Sequence, residues 1–124
     1  MKSDNVIQEK SFAFAIRIVN LYKFLCDEKK EYVLSKQVLR SGTSVGANVE
    51  EGLGGQSDRD FIAKLSIAYK EARETIYWIK LLSRTEFLSL EQSDSILQDA
   101  DEICKIIAQI LLTMKKKEEQ HRNS

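Results

Sequence analysis

The sequence predicts an all-α protein that folds as an up-down-up-down antiparallel four-helix bundle. The 124 residues contain no proline, the residue that interrupts helices by removing a backbone donor. Along four long segments, apolar residues recur at steps of three and four, which is the period of a packed helix face. Only short breaks separate these segments, and short connections favour antiparallel neighbours. With 43% hydrophobic and 31% charged residues, we expect a single globular domain spanning residues 1–124.

The first helix is predicted at about residues 5–29. Ile7, Phe14 and Ile18 recur at steps of seven and four and form its core face. Phe12 and Val19 widen the apolar face beyond what one neighbouring helix would cover. A helix with apolar residues over so much of its circumference is usually buried on more than one side, so we expect Phe12 and Val19 to be buried as well.

The second helix is predicted at about residues 36–51, with Ser35 as its N-cap and Gly52 as its stop. The glycines from Gly52 onward are expected to give the backbone freedom that a tight turn needs. Gly42 and Gly46 lie inside the helix, where each costs about 1 kcal/mol relative to alanine. We therefore predict that the backbone of a neighbouring helix approaches closely at these two positions.

The third helix is predicted at about residues 58–84, capped by Ser57. Its core stripe runs at steps of three and four residues. The members of the stripe are Phe61, Leu65, Ala68, Ala72, Ile76 and Ile79.

The fourth helix is predicted at about residues 90–117, where Ser89 and Gln92 form a capping box. The tail at 118–124 loses its apolar period, so we expect it to fray. The core seam of the helix resembles a coiled coil. It consists of Ile96, Ala100, Ile103, Ile107, Ile110 and Met114.

Polar residues follow the edges along which the second and third helices should meet. Antiparallel folding about the intervening turn brings Arg40 within reach of Glu71, and Lys64 within reach of Ser44 or Asn48. We expect a partly buried polar seam that fixes the register of the two helices, since such groups stabilise a fold only when their donors and acceptors are matched. The seam comprises Arg40, Ser44, Asn48, Lys64 and Glu71.

The residue inventory argues against catalysis, a metal or another cofactor. The segment 41–46 is rich in glycine but lacks the Gly-Lys-Ser/Thr ending of a phosphate-binding loop. His121 is the single histidine and falls in the tail, so neither a nucleophile–base pair nor the Glu-x-x-His pairs of di-iron bundles can be assembled. Cys26 and Cys104 are expected to be reduced and too far apart for a disulfide, in a cytoplasmic protein without a membrane span.

Two runs carry a family resemblance, QVLRSGTSVGANVEEG at residues 37–52 and DFIAKLSIAYKEARETIYWIKLL at residues 60–82. They resemble the small bacterial four-helix-bundle proteins related to those encoded in intervening sequences of 23S ribosomal RNA genes, often labelled S23-like. The resemblance implies a ring-like homo-oligomer, namely a pentamer, without established catalytic activity. A related branch, the accessory variability proteins of diversity-generating retroelements, uses a basic pentameric surface to engage nucleic acid and a reverse transcriptase.

Two functions follow as expectations. The first is a non-enzymatic structural or adaptor assembly, because apolar residues lie on a third-helix face that should be polar in a monomer. The interface residues expected for it are Ile67, Tyr77, Trp78 and Leu81.

The alternative is an oligomer that binds RNA or DNA through cations of the third helix. The formal net charge is zero and is spread along the chain, so a local patch would have to provide the attraction. The candidate phosphate contacts are Arg59, Lys70, Arg73, Lys80 and Arg84.

Overall fold

The computed structural model describes residues 2–123, and within them the regular elements are four α-helices. They are α1 (Lys2–Asp27), α2 (Leu34–Leu53), α3 (Asp58–Arg84) and α4 (Leu90–Asn123). Each helix packs on the next in chain order, and α4 returns against α1 to close the bundle. Packing is most extensive between α2 and α3 and least extensive between α1 and α4. The predicted all-α fold is confirmed.

Contacts between neighbouring helices show that they run antiparallel. Near the start of α1, the Gln8 side chain donates a hydrogen bond to Glu50 near the end of α2, at 2.9 Å. At the other end of α1, the sulfur of Cys26 lies 3.8 Å from the Ser35 hydroxyl at the start of α2. These two pairings require the chain to reverse direction between α1 and α2. The Lys64–Glu51 ion pair beside the α2–α3 turn and the Ser93–Ser83 hydrogen bond beside the α3–α4 turn show the same for the next two pairs.

The predicted apolar stripes meet in one continuous core. Ile76 is half-buried at its margin, while the other members of the predicted stripes are at most 9% exposed. The largest fully buried side chains come from all four helices, so the core extends along the whole bundle. They include Ile7, Phe14, Ile18, Leu25, Leu65, Ile79, Leu82, Ile103 and Ile107.

The start of α2 differs from the sequence-based expectation. The helix begins at Leu34, and Ser35 is buried inside its first turn instead of capping it. The cap comes from Glu31, whose carboxylate accepts hydrogen bonds from the backbone N–H groups of Val33 at 3.1 Å and Ser35 at 2.8 Å. A carboxylate suits this place because it satisfies free N–H groups and faces the positive end of the helix dipole.

The glycines of α2 serve packing. A Cβ atom on Gly42 would lie 2.6 Å from the Ile18 side chain, and one on Gly46 would lie 3.2 Å from the Ser11 backbone oxygen. The predicted backbone approach therefore occurs at Gly46, against α1, whereas Gly42 makes room for a side chain. The turn glycines differ from expectation, because α2 continues to Leu53 and no glycine in residues 2–123 has a positive φ.

The last two helices begin where their caps predict. The Ser57 hydroxyl accepts from the Asp60 N–H at 3.1 Å. Ser89 and Gln92 form the reciprocal capping box, with distances of 3.1 and 2.9 Å. At its far end α4 stays helical to Asn123, beyond the predicted end at 117, and residue 124 lies outside the described residues. None of the helices described here is long and apolar enough to cross a membrane.

Candidate interaction surfaces

Part of the predicted polar seam forms a cluster on the outer edge of the α2–α3 contact. Arg40 forms an ion pair with Glu71 at 3.3 Å, contacts the Glu74 carboxylate, and donates to the Gln37 side-chain oxygen at 3.2 Å. The indole N–H of Trp78 donates to Glu74 at 3.0 Å. The Arg40 side chain is 50% exposed, so its ion pairs contribute at most about 1 kcal/mol each. Glu74 thereby connects Arg40 of α2 with Trp78 of α3.

The other seam residues pair elsewhere. Asn48 donates to the backbone oxygen of Ser44 at 2.9 Å and to its hydroxyl at 3.0 Å, both within α2. Lys64 forms its ion pair with Glu51 at 3.1 Å, near the α2–α3 turn. The five predicted residues therefore divide into three local groups, because Asn48 finds a partner one turn back and the long Lys64 side chain reaches an exposed carboxylate.

A buried hydroxyl pair connects α2 and α3 beneath this edge. Ser41 and Thr75 are both fully buried, and their hydroxyl oxygens are hydrogen-bonded at 2.8 Å. The Thr75 hydroxyl oxygen also lies 2.7 Å from the Glu71 backbone oxygen. Sequence reasoning missed this pair, although Thr75 lies three residues after Ala72 and four before Ile79, which places it in the core stripe.

The predicted interface residues divide between the two edges of the outer α3 face. Ile67 and Tyr77 are 41% and 59% exposed, whereas Trp78 and Leu81 are half-buried. The Tyr77 and Trp78 rings meet edge to face, with centroids 5.1 Å apart. Trp78 lies towards α2 through Glu74, while Tyr77 and Leu81 line a groove shared with α4.

This α3–α4 groove is open, mixed in character and about 500 Å³ in volume. Leu90 at its edge is 74% exposed. Two cations, Lys80 and Arg84, and one acid, Asp94, lie among the lining residues, so the charge of the groove is positive on balance. Its lining residues include Tyr77, Lys80, Leu81, Arg84, Leu90, Asp94 and Leu97.

The five predicted phosphate contacts share one exposed stripe of α3. From Lys70 to Arg84 the stripe advances in steps of three and four residues through Tyr77, and Arg59 lies three helical turns before Lys70. Within residues 2–123, none of the five cations forms an ion pair. All five are exposed to solvent, namely Arg59, Lys70, Arg73, Lys80 and Arg84.

A second outward surface, the α1–α2 face, lies on the opposite side of the bundle. Phe12 and Ile16 of α1 are 65% and 50% exposed, contrary to the burial expected for Phe12. Phe12 borders a groove of about 250 Å³ with Ala15 and Ala47, in which Glu50 is the charged lining residue. The bundle has four helices, so α1 has neighbours only in α2 and α4, which leaves its wide apolar face partly uncovered.

Two observations describe the metal-ligating and thiol groups of the bundle. Within residues 2–123, no three His, Cys, Asp or Glu side chains are grouped so that they could hold a metal ion. Cys26 and Cys104 are free thiols, and burial raises the pKa of the Cys104 thiol. Because the thiolate is the reactive form, Cys104 is a poor nucleophile.

Comparisons with known proteins find a family model and a solved structure that each match most of the chain. A family model described as 23S rRNA-intervening sequence protein matches residues 3–109. A crystal structure of a protein of unknown function from the S23 ribosomal protein family of Bacteroides thetaiotaomicron is 58% identical and superposes with a TM-score of 0.87. The match covers 88% of this chain and 97% of that one. Neither description names an enzymatic activity. Comparison with curated proteins found no match.

Proposed function

Because the chain belongs to the 23S rRNA-intervening sequence protein family, we propose that it is a non-enzymatic, self-associating structural or adaptor protein of the cytoplasm. The observation that carries this proposal is the pair of outward surfaces with large exposed apolar side chains. Phe12 and Ile16 lie on one surface, and Tyr77 and Leu90 lie on the other. Contiguous exposed apolar patches mark interaction sites in soluble proteins, since covering them removes apolar area from water.

The non-enzymatic part of the proposal is supported by the state of the Cys104 thiol and of the carboxylates around Arg40. Cys104, a buried thiol with a raised pKa, is held in its unreactive protonated form. The cluster around Arg40 consists of matched pairs: Glu74 accepts from both Arg40 and Trp78, and Glu71 is paired with Arg40. A carboxylate engaged in this way orients a side chain and is not poised as a general base.

The native mass of the purified protein tests this proposal. We expect light scattering to give a multiple of the chain mass of 14.2 kDa, and the family resemblance makes five copies the expected multiple. A strictly monomeric protein across the concentration range would contradict self-association. A 260-to-280 nm absorbance ratio on the same sample reports copurifying nucleic acid.

RNA or DNA binding is a second candidate, favoured by the exposed α3 cations, which have no ion-pair partner among residues 2–123. Five such charges on one stripe can neutralise phosphates without first breaking intramolecular pairs. Tyr77 lies within the stripe and presents an exposed ring on which a base could stack.

This candidate predicts salt-dependent binding. For single-stranded RNA, replacing Lys70 and Arg73 together by glutamine should weaken binding and reduce the slope of log K against log salt by about 1.4, because each lost phosphate contact contributes about 0.7. Fluorescence anisotropy from low to moderate ionic strength measures the slope. Lys36→Gln, an exposed cation on α2, serves as the control and should leave the slope unchanged. A wild-type protein without salt-sensitive binding to mixed RNA and DNA removes this candidate.

A further inference from the structure

The two outward apolar surfaces differ in shape and charge. The α1–α2 face projects the Phe12 side chain, whereas the α3–α4 groove is a concave space of about 500 Å³. In a closed bundle of four helices, the α1–α2 edge and the α3–α4 edge lie on opposite sides. One copy of the chain therefore carries both a projection and a recess, and the two point away from each other.

We propose that the α1–α2 face of one copy docks onto the α3–α4 groove of the next copy, with Phe12 as the inserted side chain. This inference rests on the self-association proposed above and adds which surfaces meet. The contact is heterologous, since it joins two different patches and leaves one free patch at each end of a dimer.

Charge complementarity favours this pairing over a pairing of like surfaces. The α1–α2 groove carries Glu50, whose carboxylate accepts from the neutral Gln8 side chain and forms no ion pair within residues 2–123. The α3–α4 groove carries Lys80 and Arg84 against the single acid Asp94. Two copies of the same groove would bring like charges together, whereas the unlike surfaces attract.

Apolar complementarity points the same way. Phe12 is 65% exposed and has small neighbours in Ala15 and Ala47, so a partner can approach it closely. The groove presents an aromatic ring and leucine side chains, including Tyr77 and Leu90. An aromatic side chain inserted among apolar side chains at the centre of a contact, with polar groups around it, is typical of an interface hot spot.

The test uses two variants that each disable one surface. Phe12→Lys places a cation where Lys80 and Arg84 would meet it, and Tyr77→Ala combined with Leu90→Ala empties the groove. Each variant alone should associate at least about 30-fold more weakly than the wild type, the effect of losing a hot spot. An equimolar mixture should form a 1:1 dimer of twice 14.2 kDa, because each variant keeps the surface that the other has lost.

A control variant and a measurement of helicity distinguish loss of the contact from loss of the fold. Leu112→Lys changes an exposed apolar residue of α4 that lines neither groove, and it should retain the wild-type mass. The substituted side chains are mainly exposed, so circular dichroism should show unchanged helicity. If Phe12→Lys loses helicity, Ile16→Lys replaces it as the variant of the same face.

Three results would overturn the pairing or its premise. Variants that keep the wild-type mass would overturn the surface assignment while self-association stands. Variants that are monomeric but form no dimer when mixed would show that the two surfaces do not pair with each other and would also overturn it. A monomeric wild type would instead overturn the self-association on which the inference rests.

Discussion

Replacing Gly42 with alanine should lower the free energy of unfolding by up to about 2 kcal/mol, although alanine favours helix more than glycine does. The new Cβ would lie 2.6 to 2.9 Å from three carbon atoms of Ile18, a fully buried side chain. Overpacking of a well-filled core costs about 1–3 kcal/mol, and the gain in helix propensity offsets about 1 kcal/mol of it. Urea denaturation at one fixed protein concentration measures the change.

Gly54→Ala is the matched control. The Cβ of alanine at position 54 would meet its nearest neighbour at 3.6 Å, an ordinary contact, and the φ of −85° suits any residue. We expect a change within about 0.5 kcal/mol. Ile18→Ala combined with Gly42→Ala should cost less than the sum of the two single changes, since alanine at position 18 lacks all three carbon atoms that the new Cβ would meet. A stabilised Gly42→Ala variant would show that α1 and α2 are not closely packed here.

Thr75→Val should destabilise the protein by about 1–3 kcal/mol, even though valine has nearly the same shape as threonine. The substitution leaves the fully buried Ser41 hydroxyl without its partner at 2.8 Å. A buried hydroxyl group that loses its hydrogen bond pays the desolvation cost in full. Both residues are β-branched, so helix propensity contributes little. Thermal or urea unfolding measures the effect.

A double-mutant cycle separates this effect from a simple loss of packing. Ser41→Ala combined with Thr75→Val removes both hydroxyl groups and should be less destabilising than Thr75→Val alone. Additive effects of the two substitutions would mean that the hydroxyl pair does not hold α2 to α3.

Helical periodicity and capping residues were enough to predict the four helices, their buried stripes and the antiparallel order. Local chemistry determines these features: Ser57 caps α3, and Ser89 with Gln92 caps α4, through bonds within one helical turn. The close approach at Gly46 could be predicted as well, because a glycine inside a helix needs a compensating contact.

Features that depend on which partner is nearest could not be predicted in this way. Glu31 replaced Ser35 as the cap of α2 because its longer side chain reaches the free N–H groups from outside the helix. Lys64 pairs with Glu51 and not with Ser44 or Asn48. Several polar groups lie within reach of its flexible side chain, so the sequence alone does not tell which of them it contacts. Phe12 was expected to be buried because periodicity reports apolar width and does not tell whether the same chain or another copy covers it.

The most direct test of the central claim is the mass of the native protein measured by native mass spectrometry and by sedimentation over a range of concentrations. Self-association predicts a discrete assembly of whole-number stoichiometry, with five copies of the 14.2 kDa chain as the expected mass. It also predicts dissociation on dilution without loss of helicity, because the core of each bundle is complete within one chain. A single species of 14.2 kDa at every concentration would contradict the account.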